Sequence, residues 1–400
     1  MGLNDTPSGD RTHIGFFGLR NAGKSSLVNA FTSQELSVVS DIKGTTTDPV
    51  QKSMELLPLG PVVIIDTPGY DDEGSLGEKR VHAAKRILNR TDIAVLVTDA
   101  ASPLTHLEKE LISIFEEKEI AYVIAENKSD LLEKIPSDDD RHIYVSAKNK
   151  TGIEKLKNKV ASLMKNELLS TELLAGLVKK NETVILVTPI DDAAPKGRMI
   201  LPEQMGIRDA LDSDAICVVV KETNLKQALE QIPGVSLVVT DSQAFEIVSS
   251  LVPENIPLTS FSILMAKYKG FLEGAVEGVT AISELKDGDN VLISEGCTHH
   301  RQCEDIGTVK MPGWLTEASG AKLNFSWSSG RDFPEDLSKY RLVVHCGGCM
   351  LPSRELTYRM KCAHDQGVPF TNYGISIAYM HGILKRALSV FPELASKIKD

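Results

Sequence analysis

At 400 residues, with 42% hydrophobic and 25% charged side chains, the chain has the composition of a folded protein of two or three domains. A formal net charge of −11 speaks against a broad nucleic-acid or anionic-membrane surface. No apolar run reaches the roughly 18 residues that a membrane span needs.

Six cysteines are too few for a disulfide scaffold, and the N-terminal residues lack the apolar core of a secretory signal. A cytoplasmic, reduced chain is expected, in which clustered cysteines bind metal.

Residues 13–18 form a short apolar run that leads into Gly18-Leu19-Arg20-Asn21-Ala22-Gly23-Lys24-Ser25. The following Ser26-Leu27-Val28-Asn29-Ala30-Phe31 reads as a helix, so the order is strand, glycine-rich loop, helix. Backbone amides of such a loop wrap phosphates. Lys24 would reach the β and γ phosphates, and the Ser25 hydroxyl would sit on Mg²⁺.

Three further elements follow, each after an apolar strand. Asp66-Thr67-Pro68-Gly69 supplies a carboxylate for Mg²⁺ and an amide to sense the γ-phosphate. Asn127-Lys128-Ser129-Asp130 offers a carboxylate for the guanine N1–H and exocyclic amine, a donor pair that adenine lacks. Ser146-Ala147-Lys148 closes the base pocket. Four ordered elements make this a GTP-binding P-loop domain, expected over residues 1–168.

Its details resemble the potassium-activated GTPases of the tRNA-modification and ribosome-assembly class. Gly44-Thr45-Thr46-Thr47-Asp48 looks like their first switch. The resemblance implies Thr46 as a Mg²⁺ ligand and Asn21 as the loop residue that helps hold K⁺. Tyr70 stands where other GTPases place a water-orienting Gln. Slow intrinsic hydrolysis, helped by K⁺ or a partner, is therefore expected, with Lys24, Thr46 and Gly69 as the catalytic set.

Residues 153–167 read as a closing amphipathic helix. Beyond a linker at 169–180, strands (184–189, 215–221, 236–240, 257–264) alternate with helices (202–211, 224–231, 242–251). That pattern predicts a small parallel sheet covered by helices, without a catalytic constellation. Its exposed edges favour pairing with a second copy, so residues 177–265 are expected to dimerise.

Residues 266–400 are predicted to form another α/β domain. A helix at 266–285 leads to a strand at 290–294, with further strands at 323–327, 340–344 and 369–372 and a helix at 353–366. Cys297-Thr298-His299 lies just past one strand end. After a gap of 45 residues, His345-Cys346-Gly347-Gly348-Cys349 follows another. Ligands in open α/β sheets bind beyond the carboxyl ends of strands, so a shared pocket is reasonable. Three thiolates serve either zinc or iron–sulfur, and spacing does not decide between them. Arg301, Arg331 and Arg354 lie near these motifs, with a solvated face as their simplest role.

The pattern Cys297-x-His299, then His345-Cys346-x-x-Cys349, together with the domain order, resembles the FeFe-hydrogenase maturation GTPase (HydF) family along the whole chain. The resemblance implies a 4Fe–4S cluster on Cys297, Cys346 and Cys349 with an exchangeable fourth position. His299, His345, Glu304 and Asp305 are the candidates for that position. It further implies a scaffold that takes a diiron precursor from two radical-SAM maturases and delivers it to apo FeFe-hydrogenase. A ribosome- or tRNA-related GTPase with a structural zinc domain is the alternative, and the acidic balance speaks against it.

Overall fold

The apolar hexapeptide Thr12–Phe17 is strand β1, buried along nearly its whole length at the centre of the first sheet. The computed structural model describes residues 9, 11–32, 50–67, 69, 87–164, 172–174, 176–190, 199–296, 305–330 and 332–398. They fall into two units, Met1–Leu169 and Ser170–Asp400.

In the first unit, β2 (Val50–Leu56), β3 (Gly60–Asp66), β4 (Ile93–Asp99), β5 (Ala121–Asn127) and β6 (His142–Tyr144) join β1 in the order β2-β3-β1-β4-β5-β6. Only β2 is antiparallel; it forms a hairpin with β3. The parallel strands are covered on both faces, as their continuous apolar runs require. One face packs Phe16 and Val95 on Leu27, Phe31 and Val160, and the other packs Phe17 and Leu96 on Leu111 and Phe115. The helix His106–Glu117 opens with a capping box, Thr105 and Glu108 exchanging hydrogen bonds with each other's backbone. The sequence reading omits β2, β4 and this helix. Where it extends the closing helix to residue 167, the described helix is Ile153–Leu163.

Among the described residues, the second unit holds two four-stranded, all-parallel sheets. The first is built from β7 (Thr183–Val187), β8 (Ile216–Val220), β9 (Val235–Thr240) and β10 (Leu258–Ser260), in the order β10-β9-β7-β8. The second uses β11 (Asn290–Glu295), β12 (Asn324–Ser329), β13 (Leu342–His345) and β14 (Phe370–Asn372), in the order β12-β11-β13-β14. One apolar core runs through both, from Ile185 and Val238 by way of Phe271 to Val291, Val343 and Leu356.

The predicted strand at 257–264 stops at Ser260, whose side chain caps the helix Phe261–Tyr268 by accepting from the Ile263 amide. Its apolar residues are buried against both cores, so they carry no alternating pattern to separate strand from helix. The single helix predicted at 266–285 is broken at Gly270, which takes a φ of +79°. A helix at Leu272–Val279 and a 3₁₀ turn at Thr280–Glu284 follow.

Strand β8 closes one edge of its sheet with Ile216 55% and Val219 42% exposed, an apolar edge of the kind that pairs with another chain.

Candidate functional site

The carboxyl ends of β1, β3, β4 and β5 place the nucleotide motifs together. Gly23 adopts φ +84°, and a Cβ there would stand 2.4 Å from Nδ2 of Asn127. The buried Asn127 amide donates to the Ala22 carbonyl (2.9 Å), and its oxygen accepts from the Ala147 amide (3.0 Å). One side chain therefore ties the phosphate loop to the base-recognition loop. The Lys24 ammonium is held inside the loop by the Gly18 and Leu19 carbonyls, both at 3.0 Å. Asn21, with φ +66°, is exposed.

The Ser25 hydroxyl donates to Oδ2 of Asp66 at 2.7 Å, while the buried Oδ1 has no hydrogen-bond partner. Burial pushes the Asp66 carboxyl above its usual range, against the pull of Ser25, Lys24 and Lys52. A desolvated carboxylate oxygen without a donor, next to a hydroxyl, fits a Mg²⁺ position.

On the base side, the Ser146 hydroxyl donates to Oδ1 of Asp130 (2.5 Å) and accepts from the Asn149 amide (3.1 Å), while Lys148 is exposed. Lys128, at φ +60°, pairs its ammonium with Asp99 at 2.7 Å. That hydrogen bond holds the Asp99 carboxyl below its usual range. A cavity of about 200 Å³ lies between Leu19, Arg20, Asn21, Asp99, Thr105 and Lys128. Asp99 escapes the sequence reading because β4 does; its position at the end of an apolar run was the available signal. Gly69 and Ser26 lie within the described residues, whereas Thr46 and Tyr70 lie outside them.

The cysteine pair follows β13. The Cys346 sulfur accepts from the Gly296 amide (3.1 Å) and the Gly348 amide (3.4 Å). Gly296 immediately precedes Cys297, which with His299, Arg301 and Glu304 lies outside the described residues, as does Arg331. Among the described residues no group of three His, Cys, Asp or Glu side chains is gathered as a metal site. Cys346 and Cys349 are not disulfide-bonded. A thiolate that receives two backbone N–H groups suits an anionic cluster, since bonds to sulfur help set its potential.

Of the candidate fourth ligands, Asp305 uses Oδ2 to accept from both the amide and the hydroxyl of Thr308, each at 2.9 Å. His345 is fully buried, with Nδ1 2.7 Å from the Cys346 carbonyl and Nε2 3.1 Å from a guanidinium nitrogen of Arg359. A carbonyl only accepts, so Nδ1 carries the proton and Nε2 accepts from Arg359. Burial, reinforced by the Arg359 charge, pushes the imidazolium pKa down to about 3, and the ring is neutral.

On the opposite face of β11, the Tyr373 hydroxyl donates to the buried Glu295 carboxylate at 3.4 Å. Burial raises the Tyr373 pKa far above that of a free phenol, and the nearby Cys346, Glu295 and Asp305 add to the shift. Arg359 was not singled out, although it occupies an apolar position of its helix, between Leu356 and Ala363.

Comparison with known proteins places these sites in a family. Residues 13–128 match a model described as a 50S ribosome-binding GTPase. The curated relatives include the tRNA modification GTPase MnmE of Coxiella burnetii, 35% identical over 144 residues, which are 34% of this chain and 32% of that protein. MnmE of Francisella tularensis is 36% identical over 165 residues, or 38% of this chain and 36% of that protein. The chain thus spans about a third of the length of these relatives. Among solved structures, the G domain of the T. maritima FeoB iron transporter aligns at 22% identity and a TM-score of 0.31, covering 39% of this chain and 99% of that one. Among the described residues no helix is long and apolar enough to cross a membrane. The remainder of the chain matches the hydrogen maturase F dimerization domain over residues 173–270 and the hydrogen maturase F tetramerization domain over residues 273–390. With these two domains following a GTPase domain, the chain belongs to the hydrogen maturase F family.

Proposed function

We propose that this protein is a GTP-hydrolysing scaffold for hydrogenase maturation. It carries a 4Fe–4S cluster on Cys297, Cys346 and Cys349, receives a diiron precursor as cargo and delivers it to apo FeFe-hydrogenase. Two radical-SAM maturases supply the cargo. The observation that carries this reading is the Cys346 sulfur held by the Gly296 and Gly348 amides, which brings the residue before Cys297 onto the cysteine pair.

When bound, such a cluster leaves one iron open to an incoming group if the fourth protein ligand is weak. His299, Glu304 and Asp305 are the candidates for that weak position. Among this chain's own residues, the Gly296 and Gly348 amides hold the Cys346 sulfur, and the buried Tyr373 lies near Cys346 with Glu295 as its hydrogen-bond partner. In the nucleotide domain, Lys24 binds phosphate, Ser25, Thr46 and Asp66 hold Mg²⁺, and Asn21 helps to hold K⁺. Asp130 reads guanine, with Asn127, Ser146, Ala147 and Lys148 shaping its pocket. We divide the chain at 1–168, 177–265 and 266–400, and place self-association of the middle domain on the apolar β8 edge.

Anaerobic reconstitution with iron and sulfide, followed by metal analysis and EPR after dithionite reduction, tests the reading. About four iron and four sulfide per chain, lost in Cys346→Ser, support it. One tightly held zinc without sulfide would replace it with a GTPase bearing a structural metal domain.

A further inference from the structure

Arg359 is among the largest fully buried side chains of the protein, only 1% exposed. Its Nε donates to Glu355, one turn earlier on the same helix, at 2.9 Å. The other donors leave the helix. One terminal nitrogen reaches Nε2 of His345 (3.1 Å) and the Ser294 hydroxyl (3.4 Å), and the second donates to the Gly330 carbonyl (2.7 Å). The guanidinium also lies 5.0 Å from the centre of the Phe333 ring.

These partners share one location. Ser294 is near the carboxyl end of β11, Gly330 directly follows β12, and His345 ends β13. A single side chain on a neighbouring helix thus pins three adjacent parallel strands at the end from which the cysteine segments emerge. Burying a guanidinium is costly even when it is paired, and an apolar residue here would continue the Leu356–Ala363 stripe at lower cost. The planar fork does what an apolar residue cannot, because it fixes partner directions as well as filling space.

We infer that Arg359 is the positioning residue of the cysteine pair: it orients His345 so that Nδ1–H holds the Cys346 carbonyl, and His345 is a relay to the loop rather than a ligand of the cluster. Ligation through Nε2 would take away the acceptor of a buried guanidinium N–H. Ligation through Nδ1 would release the Cys346 carbonyl. The inference rests on the cluster-carrier reading above, and its test separates the two.

The full-length protein is prepared as wild type, Arg359→Lys and His345→Asn, each checked by circular dichroism and by solution mass. Lysine keeps the charge without the fork. Asparagine keeps an N–H toward the Cys346 carbonyl without an Nε2. After anaerobic loading with iron and sulfide, Arg359→Lys loses iron to a chelator about 10- to 100-fold faster than wild type, the usual scale for partners behind a metal ligand. His345→Asn retains its cluster, and in ¹⁵N-histidine-labelled protein it loses no nitrogen coupling from the pulsed EPR spectrum. An unchanged chelation rate in Arg359→Lys, or a nitrogen coupling abolished in His345→Asn, overturns the inference.

If wild type takes up no iron and sulfide, the carrier reading fails, and the apo protein decides the positioning role. Iodoacetamide then alkylates Cys346 several-fold faster in Arg359→Lys with the Cys217 rate unchanged, or the inference fails as well.

Discussion

Replacing Gly23 with alanine probes the joint between the phosphate loop and the base loop. Gly23 sits at φ +84°, and its new Cβ would lie 2.4 Å from Nδ2 of Asn127. Left-handed backbone at a residue with a Cβ costs about 1–2 kcal/mol. Displacing the Asn127 side chain endangers its bonds to the Ala22 carbonyl and the Ala147 amide, each worth roughly 0.5–1.5 kcal/mol. Together these come to about 2–5 kcal/mol against the loop shape that binds phosphate, or about 30- to 5,000-fold in affinity. Gly176→Ala is the matched control, since Gly176 has φ +72° with nothing within 4 Å of a Cβ. It should lower the melting temperature of its own unit and leave nucleotide affinity alone. Equilibrium titration with fluorescent GDP and GTP analogues reads both variants. Gly23→Ala within threefold of wild type would falsify the account of Asn127 as the joint.

Asp66→Asn removes a carboxylate whose pKa is raised by burial. A raised value stabilises the fold below the ordinary carboxylate range, near pH 4, and that contribution is lost as pH rises through the folded value. Nucleotide-free wild type should therefore fall behind Asp66→Asn in melting temperature as pH rises to neutrality, while Mg²⁺ added to the GDP-bound protein gives further stabilisation only in wild type. A melting curve of the variant that still responds to Mg²⁺ removes Asp66 from the metal site. Asp130→Asn loses two charge-assisted bonds to guanine at about 1.5–3 kcal/mol each, about 10²- to 10⁴-fold in GDP affinity, and gains for xanthosine diphosphate. Competition between the two diphosphates checks this, and unchanged preference refutes it. Paired Ile216→Asp and Val219→Asp substitutions on the exposed β8 edge should raise the half-dissociation concentration at least about 100-fold, from roughly 1.5 kcal/mol per apolar side chain left in water. A dilution series by light scattering with unaltered mass would move the self-association surface elsewhere.

The parallel strands that carry motifs were legible because each is a buried apolar run ending at a chemically marked loop: Thr12–Phe17 before the phosphate loop, Ala121–Asn127 before Asp130, Leu342–His345 before Cys346. Ile93–Asp99 is as apolar and as buried, yet no motif follows it, and a lone run does not announce its partner strands. With that strand went Asp99, the counter-charge that orients Lys128. The stretch Leu258–Tyr268 defeated periodicity for another reason. It is covered on several sides, so strand and helix leave the same uninterrupted apolar trace, and only the Ser260 cap marks the change.

His345 shows where motif reading stops. Beside Cys346 it has the residue type, the spacing and the strand-end location of a metal ligand, and all three are visible in sequence. Availability depends on something else, namely what each ring nitrogen already holds. Here one nitrogen faces the Cys346 carbonyl and the other faces Arg359, which lies 14 residues further along the chain on a different element. Arg301, Arg331 and Arg354 stand out in the sequence. Arg359 instead betrays itself by position, as a permanent charge on the helix stripe shared with Leu356 and Ala363. A cation placed where packing calls for an apolar side chain must have acceptors waiting inside, and the acceptors it finds are the ends of the strands that carry the cysteines. The ligand motif and the residue that orients it are therefore written on different elements with different periodicities, and only the fold brings them together.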